Sequence, residues 1–170
     1  MYSLNVPLPP RVRDVAASLR PALVGFDRVR DDRSRTLVLK RLAADDRREF
    51  LTARRDAREA LRGAPVVDAR IDGVGVFEEP PAGSGPVAYL AVESPGLHDL
   101  HERLVDSLGA IPDLEGEAYT PHVTLARGGD GRAAEAVLDA SFDSITWTVD
   151  ELEFYDARHG ERIEAISLPA

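Results

Sequence analysis

The 170-residue chain contains no cysteine, which excludes disulfides, thiolate metal sites and cysteine nucleophiles. Lysine is almost missing: of 21 basic residues all but Lys40 are arginine. Long apolar runs are missing too. Nothing approaches the roughly 20 consecutive apolar residues that span a bilayer, so no membrane association is expected. The stretch Met1–Pro7 lacks a basic segment followed by an apolar one, so no leader peptide is expected either, and the simplest placement is cytoplasmic. Positive charge is in deficit. A net charge of −9 and a pI near 4.9 argue against a broad nucleic-acid footprint but leave room for a local basic site. An acidic, lysine-poor surface suits a salt-rich, halophile-like cytosol, and GC-rich coding would give the same bias toward arginine. What remains is ordinary globular usage, 44% hydrophobic and 30% charged, enough for one domain over residues 1–170.

Periodicity divides the chain into alternating strands and helices. Residues 2–8 alternate as a strand up to Pro9-Pro10. Val12, Val15, Ala16 and Leu19 then recur at helical spacing, ending before Pro21. Residues 36–42 form a second strand. Asp46 with Glu49 makes a capping box for a helix that faces inward through Phe50, Ala53, Ala57, Ala60 and Leu61 and stops at Gly63 and Pro65. Residues 66–77 are strand-like, and a Pro/Gly-rich connection runs to Pro86. The order then repeats: a strand over 87–92, and a helix capped by Ser94-Pro95 with a Leu97, Leu100, Leu104, Leu108 stripe. After these come a strand from His122, a short helix over 132–140, and strands over 145–155 and 162–168 joined by an Arg158-His159-Gly160 turn. Arg20 precedes Ser34 by the same 14 residues that separate Leu108 from His122. This implies an α+β fold of two quasi-equivalent lobes, approximately 1–80 and 86–170, each a small sheet with helices on one face, with a central cleft between them.

The stretch His122-Val123-Thr124-Leu125-Ala126-Arg127, preceded by Tyr119-Thr120-Pro121, carries the chemistry. Residues two apart on a strand share a face. His122 and Thr124 therefore point together into the cleft while Val123 and Leu125 enter the core, with Arg127 close enough to contact an anion. An imidazole beside a hydroxyl and a guanidinium suits phosphate chemistry.

Motif, element order and length together resemble the two-histidine (2H) phosphoesterase superfamily, which includes 2′-5′ RNA ligases and RNA 2′,3′-cyclic phosphodiesterases. The resemblance extends over nearly the whole chain. It implies a bilobal fold with one His-x-Thr/Ser-hydrophobic motif in each lobe, and His122-Val123-Thr124-Leu125 matches the second. It also implies RNA 3′ ends or small cyclic-phosphate nucleotides as substrates, hydrolysis or 2′-5′ ligation as the reaction, a monomer, and no metal or other cofactor. In that chemistry one imidazole takes the attacker's proton and the other protonates the leaving oxygen. The threonine hydroxyls hold the non-bridging oxygens.

The first motif departs from the family pattern. Aligning Thr36-Leu37 with Thr124-Leu125 puts Ser34 at the histidine position and Thr36 at the hydroxyl position; a register shifted by one puts Arg35 there instead. The first is preferred because it keeps Thr36, Val38 and Lys40 on the cleft face. Neither register supplies an imidazole. His122, Thr124 and Thr36 are thus the expected catalytic residues, and Ser34, Arg35, Lys40 and Arg127 the expected substrate contacts. Tyr119 suits a core position better than a base-stacking one, although it is near enough to His122 to line a nucleobase pocket. Among the other histidines, His101 shares the leucine stripe of its helix and reads as a packing residue, His98 lies on the same helix, and His159 sits in an exposed turn. Reduced activity, or a non-catalytic module that binds nucleotide or RNA ends, follows from the lost histidine.

Overall fold

The computed structural model describes residues 1–32 and 34–170. Its elements in chain order are β1 (Tyr2–Val6), α1 (Pro10–Ser18), β2 (Arg28–Val29), β3 (Leu37–Leu42), α2 (Arg47–Ala60), β4 (Val67–Phe77), β5 (Val87–Glu93), α3 (Pro95–Leu108), β6 (His122–Arg127), α4 (Gly131–Leu138), β7 (Ile145–Val149), β8 (Glu151–Asp156) and β9 (Glu161–Ser167). The α+β expectation holds, and local chemistry explains the helix starts. Asp46 Oδ1 accepts the Glu49 N–H at 2.8 Å, while the Glu49 carboxylate accepts the Asp45 N–H, also at 2.8 Å. That is a capping box displaced by one residue. Ser94 Oγ accepts the Leu97 N–H at 3.1 Å with Pro95 in the first helical position, where a missing N–H costs nothing.

All strands join one curled antiparallel sheet in the order β7-β4-β5-β6-β3-β1-β8-β9, with β2 added on β6. The apolar core, including Leu4, Leu37, Leu39, Leu90, Leu97, Leu104, Val123 and Phe154, is sealed from solvent. Tyr2 stacks on Phe50 of α2 with ring centroids 4.4 Å apart, and Phe50 meets Phe154 edge-on at 5.9 Å.

Three features depart from the pattern read in the sequence. Residues 145–155 do not form one strand: Asp150 separates β7, which pairs with β4, from β8, which pairs with β1 at the far side of the sheet. Consequently each group of strands draws on both ends of the chain. β1 and β3 lie with β8 and β9, while β4, β5 and β6 lie with β7, a grouping that differs from a division at residues 80–86. The short strand β2, in a segment read as loop, pairs Arg28 with Arg127 and Val29 with Ala126. Two residues carry no periodicity to detect.

Candidate functional site

The central strands β3 and β6 run antiparallel and meet at Leu37 and Val123. Each contains one bulge. Leu4 and Asn5 on β1 face Lys40 and Val38, so Leu39 is the extra residue in β3. Ala88 and Tyr89 on β5 face Ala126 and Thr124, so Leu125 is the extra residue in β6. A bulge reverses the inside–outside parity of everything beyond it. Residues 36–41 and 122–127 accordingly show one shared order of burial: half-buried, buried, half-buried, buried, buried, half-buried. By this correspondence Thr36 is equivalent to His122, Val38 to Thr124, Leu39 to Leu125 and Arg41 to Arg127. The alignment expected from sequence, with Ser34 at the histidine position, lies two residues away from it.

The His122 ring is half-buried. Its Nδ1–H donates to the Thr120 carbonyl at 2.7 Å, which fixes the tautomer and leaves Nε2 with a free lone pair. Phe77 and Tyr89 stack on each other at 4.1 Å and meet the imidazole edge-on at 5.2 and 5.3 Å. Burial lowers the His122 pKa from the ordinary histidine value; the Thr120 bond opposes this, and the Arg41 and Arg127 charges add to the lowering. A neutral imidazole able to accept a proton is the result. Sequence reasoning passed over two of these neighbours. Arg41 and Tyr89 lie on predicted strands, where alternation alone does not single them out. Thr124 and Arg127 on β6, and Thr36 immediately before β3, are each half-buried.

The other expected contacts are occupied elsewhere. Lys40 does not face the cleft: the bulge at Leu39 turns it inward, where it is 1% exposed. Its Nζ lies 2.6 Å from Glu115 Oε2 and 2.7 Å from the Arg41 carbonyl. Glu115 also accepts the Arg41 and Ile111 N–H groups at 2.7 and 2.9 Å. Tyr119 is buried beneath β3, stacked on His101 at 3.8 Å with its hydroxyl donating to the Val38 carbonyl at 3.1 Å, so it lines no open pocket. His101 Nδ1–H donates to the Leu39 carbonyl at 2.7 Å, and Nε2 accepts the Gly116 N–H at 3.0 Å. Lys40, Glu115, His101 and Tyr119 thus bind the backbone groups around the β3 bulge, groups that burial would otherwise leave at a cost. Ser34 turns back on its own loop, with Oγ 3.1 Å from the Asp31 carbonyl and its N–H 2.8 Å from Asp31 Oδ1. Arg35 is buried, paired with Asp32, and donates to the Arg30 carbonyl at 2.9 Å. His159 is exposed and bound to Asp156 at 2.7 Å, and His98 lies against Tyr119. Among the described residues, the rings in contact with His122 are Phe77 and Tyr89.

A model of the 2′-5′ RNA ligase superfamily matches residues 42–161. The chain belongs to this family. The match contains the His122 strand and begins at the last residue of β3, so the departing segment 36–41 lies outside it. No curated protein sequence matches the chain. Among solved structures, TT0787 of Thermus thermophilus superposes with a TM-score of 0.69 at 20% identity, covering 98% of this chain and 97% of that one. E. coli LigT complexed with 3′-AMP superposes with a TM-score of 0.68 at 17% identity, covering 98% and 96%. A structure described as a phosphoesterase gives 0.67 at 17% identity, covering 98% and 97%. These likenesses establish the 2H phosphoesterase fold, in keeping with the α+β class expected from the element order.

Proposed function

We propose that this 2H family member binds 2′,3′-cyclic phosphate or phosphorylated ends of RNA or nucleotides and opens the cyclic ester slowly, with His122 as its single imidazole. The observation that carries the reading is the His122 ring itself. It is fixed through Nδ1, with burial and the charges of Arg41 and Arg127 lowering its pKa and so favouring the neutral ring. Water attacking phosphorus gives its proton to Nε2 as the P–O bond to one ribose oxygen breaks. The departing oxygen takes a proton from solvent, and His122 later returns its own. Arg41, Arg127 and the Thr124 and Thr36 hydroxyls stabilise charge on the non-bridging oxygens. No cofactor enters this scheme, and a monomeric cytoplasmic protein is part of the same reading. That E. coli LigT was crystallised with 3′-AMP agrees with a nucleotide carrying a terminal phosphate as ligand.

A non-catalytic module that holds such ends is the second reading. Thr36 just before β3 and Val38 on it, where the family carries His-x-Thr/Ser, favour it, because neither can exchange a proton at neutral pH. Hydrolysis of a 2′,3′-cyclic nucleotide, followed with His122→Ala alongside, tests both readings. A loss on the order of 10²–10⁴-fold in the variant supports catalysis. Binding of 3′-phosphate ends without turnover supports the module. A turnover rate unchanged by His122→Ala would overturn the assignment.

A further inference from the structure

Arg41 and Arg127 occupy equivalent positions, yet their backbones are held in different ways. Arg127 has a strand on each side, with Val87 of β5 and Arg28 of β2 as its ladder partners. Arg41 has Ser3 of β1 on one side. On the other, among the described residues, β3 meets β6 only at Leu37 and Val123. Backbone N–H and C=O groups left bare on such an edge cost free energy once they are buried.

Two side chains stand where that second strand would be. Glu115 Oε1 accepts the Arg41 N–H at 2.7 Å, and Lys40 Nζ donates to the Arg41 carbonyl at 2.7 Å. The two are joined to each other at 2.6 Å, with side chains 2% and 1% exposed. The Ile111 N–H, 2.9 Å from Glu115 Oε2, ties the carboxylate to the loop that follows α3.

Stability alone does not account for this pair. Replacing a buried ion pair by well-packed apolar residues of similar volume is often neutral or stabilising. Composition does not account for it either, because Lys40 is the single lysine among 21 basic residues. An ammonium is a compact centre with rotatable donors, which suits a carbonyl and a carboxylate converging on one point; a planar guanidinium fork does not. What the pair does achieve is local. With both its N–H and its C=O held, residue 41 has a fixed Cα–Cβ direction, and its side chain is the one whose charge acts on His122.

We infer that Lys40 and Glu115 are positioning residues, a buried clamp on the backbone of residue 41 that holds the Arg41 guanidinium beside His122. This deepens the function proposed above and rests on it for what Arg41 does to a phosphate, but the clamp itself is measurable without substrate.

The His122 imidazole is the reporter. Its titration is followed by NMR, with His122→Ala assigning the resonance, in wild type, in Arg41→Gln, in Lys40→Met with Glu115→Leu, and in all three changes together. The charges acting on the ring are those of Arg41 and Arg127, so loss of the clamp reaches it through Arg41. Lys40→Met with Glu115→Leu should raise the His122 pKa in the same direction as Arg41→Gln and by no more. It should add nothing in the Arg41→Gln background. A pair that served stability alone would alter the thermal melt and leave this titration in place. Lys40→Met with Glu115→Gln keeps an oxygen for the Arg41 N–H and should fall between wild type and Arg41→Gln; it decides the question if Glu115→Leu prevents folding. An unmoved His122 pKa in Arg41→Gln, or in either folded double variant, overturns the clamp. So does a shift that persists in full in the Arg41→Gln background. If the pKa moves as expected but wild type does not turn over a 2′,3′-cyclic nucleotide, the clamp stands and the catalytic reading falls.

Discussion

Leu39 and Leu125 are the bulged residues of the two central strands, and each throws the arginine two positions later onto the cleft face. Arg41 and Arg127 are therefore equivalents, and the strands correspond as Thr36-x-Val38-x-x-Arg41 and His122-x-Thr124-x-x-Arg127. The first strand has kept its cation and lost its proton carrier and its hydroxyl.

This correspondence predicts where an imidazole can be restored. Thr36→His combined with Val38→Thr should raise cyclic-nucleotide turnover on the order of 10²-fold or more, while Ser34→His should leave it unchanged. Single-turnover rates on a 2′,3′-cyclic nucleotide distinguish the two variants. Rescue by Ser34→His would show that the burial correspondence misaligns the strands.

The pH dependence of turnover follows from the neutral state of His122. As a base it works deprotonated, and burial with two neighbouring guanidiniums lowers its pKa. Activity should hold from the alkaline side down through about pH 6.5, the ordinary histidine value, and fall only below it. Arg41→Gln removes one of the lowering charges and should move that acid limb upward. An acid limb above the ordinary histidine value in wild type would contradict the role.

Buried Lys40 and Glu115 form an ion pair at 2.6 Å. Removing one partner leaves the other charge without compensation in a dry site, at a cost of about 3–5 kcal/mol. Lys40→Met and Glu115→Gln should each lower the urea midpoint strongly, and Lys40→Met with Glu115→Leu should recover part of the loss. Loss of activity without loss of stability in Lys40→Met would return Lys40 to the cleft.

His101 gives stability a pH dependence of its own. Burial lowers its pKa, outweighing the Leu39 bond and the Glu115 charge that raise it, and protonating Nε2 would break its bond with the Gly116 N–H. The folded pKa lies below the unfolded value of about 6.5. The unfolded chain therefore binds the proton first as pH falls. The stabilisation is complete above that value and is lost as pH drops from it toward the folded pKa. His101→Phe should flatten this slope in denaturation series between pH 7 and 5; an unaltered slope would assign it to other groups.

Gly75 lies under the Tyr89 ring, and a Cβ there would sit 2.4 Å from it. Gly75→Ala must push Tyr89 off its stack with Phe77 and away from His122, with an overpacking cost of about 1–3 kcal/mol. A shift in the His122 imidazole resonances by NMR checks this, and an unperturbed ring would show that Tyr89 relaxes in some other direction.

The helices and their caps could be read from the sequence because Asp46 and Ser94 act on amides within three residues. The His122 strand was legible for the same reason, its alternation being local. Lys40 shows where that reading stops. Alternation assigns it to the cleft, but one inserted residue at Leu39 reverses the parity, and the insertion exists only relative to β1, more than thirty residues earlier in the chain. Tyr119 carries a side chain suited to a ligand, and only a tertiary contact shows it committed to the Val38 carbonyl, while Arg35 is taken up by Asp32 and the Arg30 carbonyl within its own loop. β2 is too short for any period, yet it brings Arg28 beside Arg127.

The break at Asp150 bears on how the molecule is made. β1 leaves the ribosome long before its neighbour β8. Until residues 151–156 emerge, one edge of β1 stays unpaired, with its backbone donors and acceptors open to any passing strand. Closing so long a loop is slow. A truncation before β8 would therefore leave that edge of β1 open and prone to aggregation rather than release a working half.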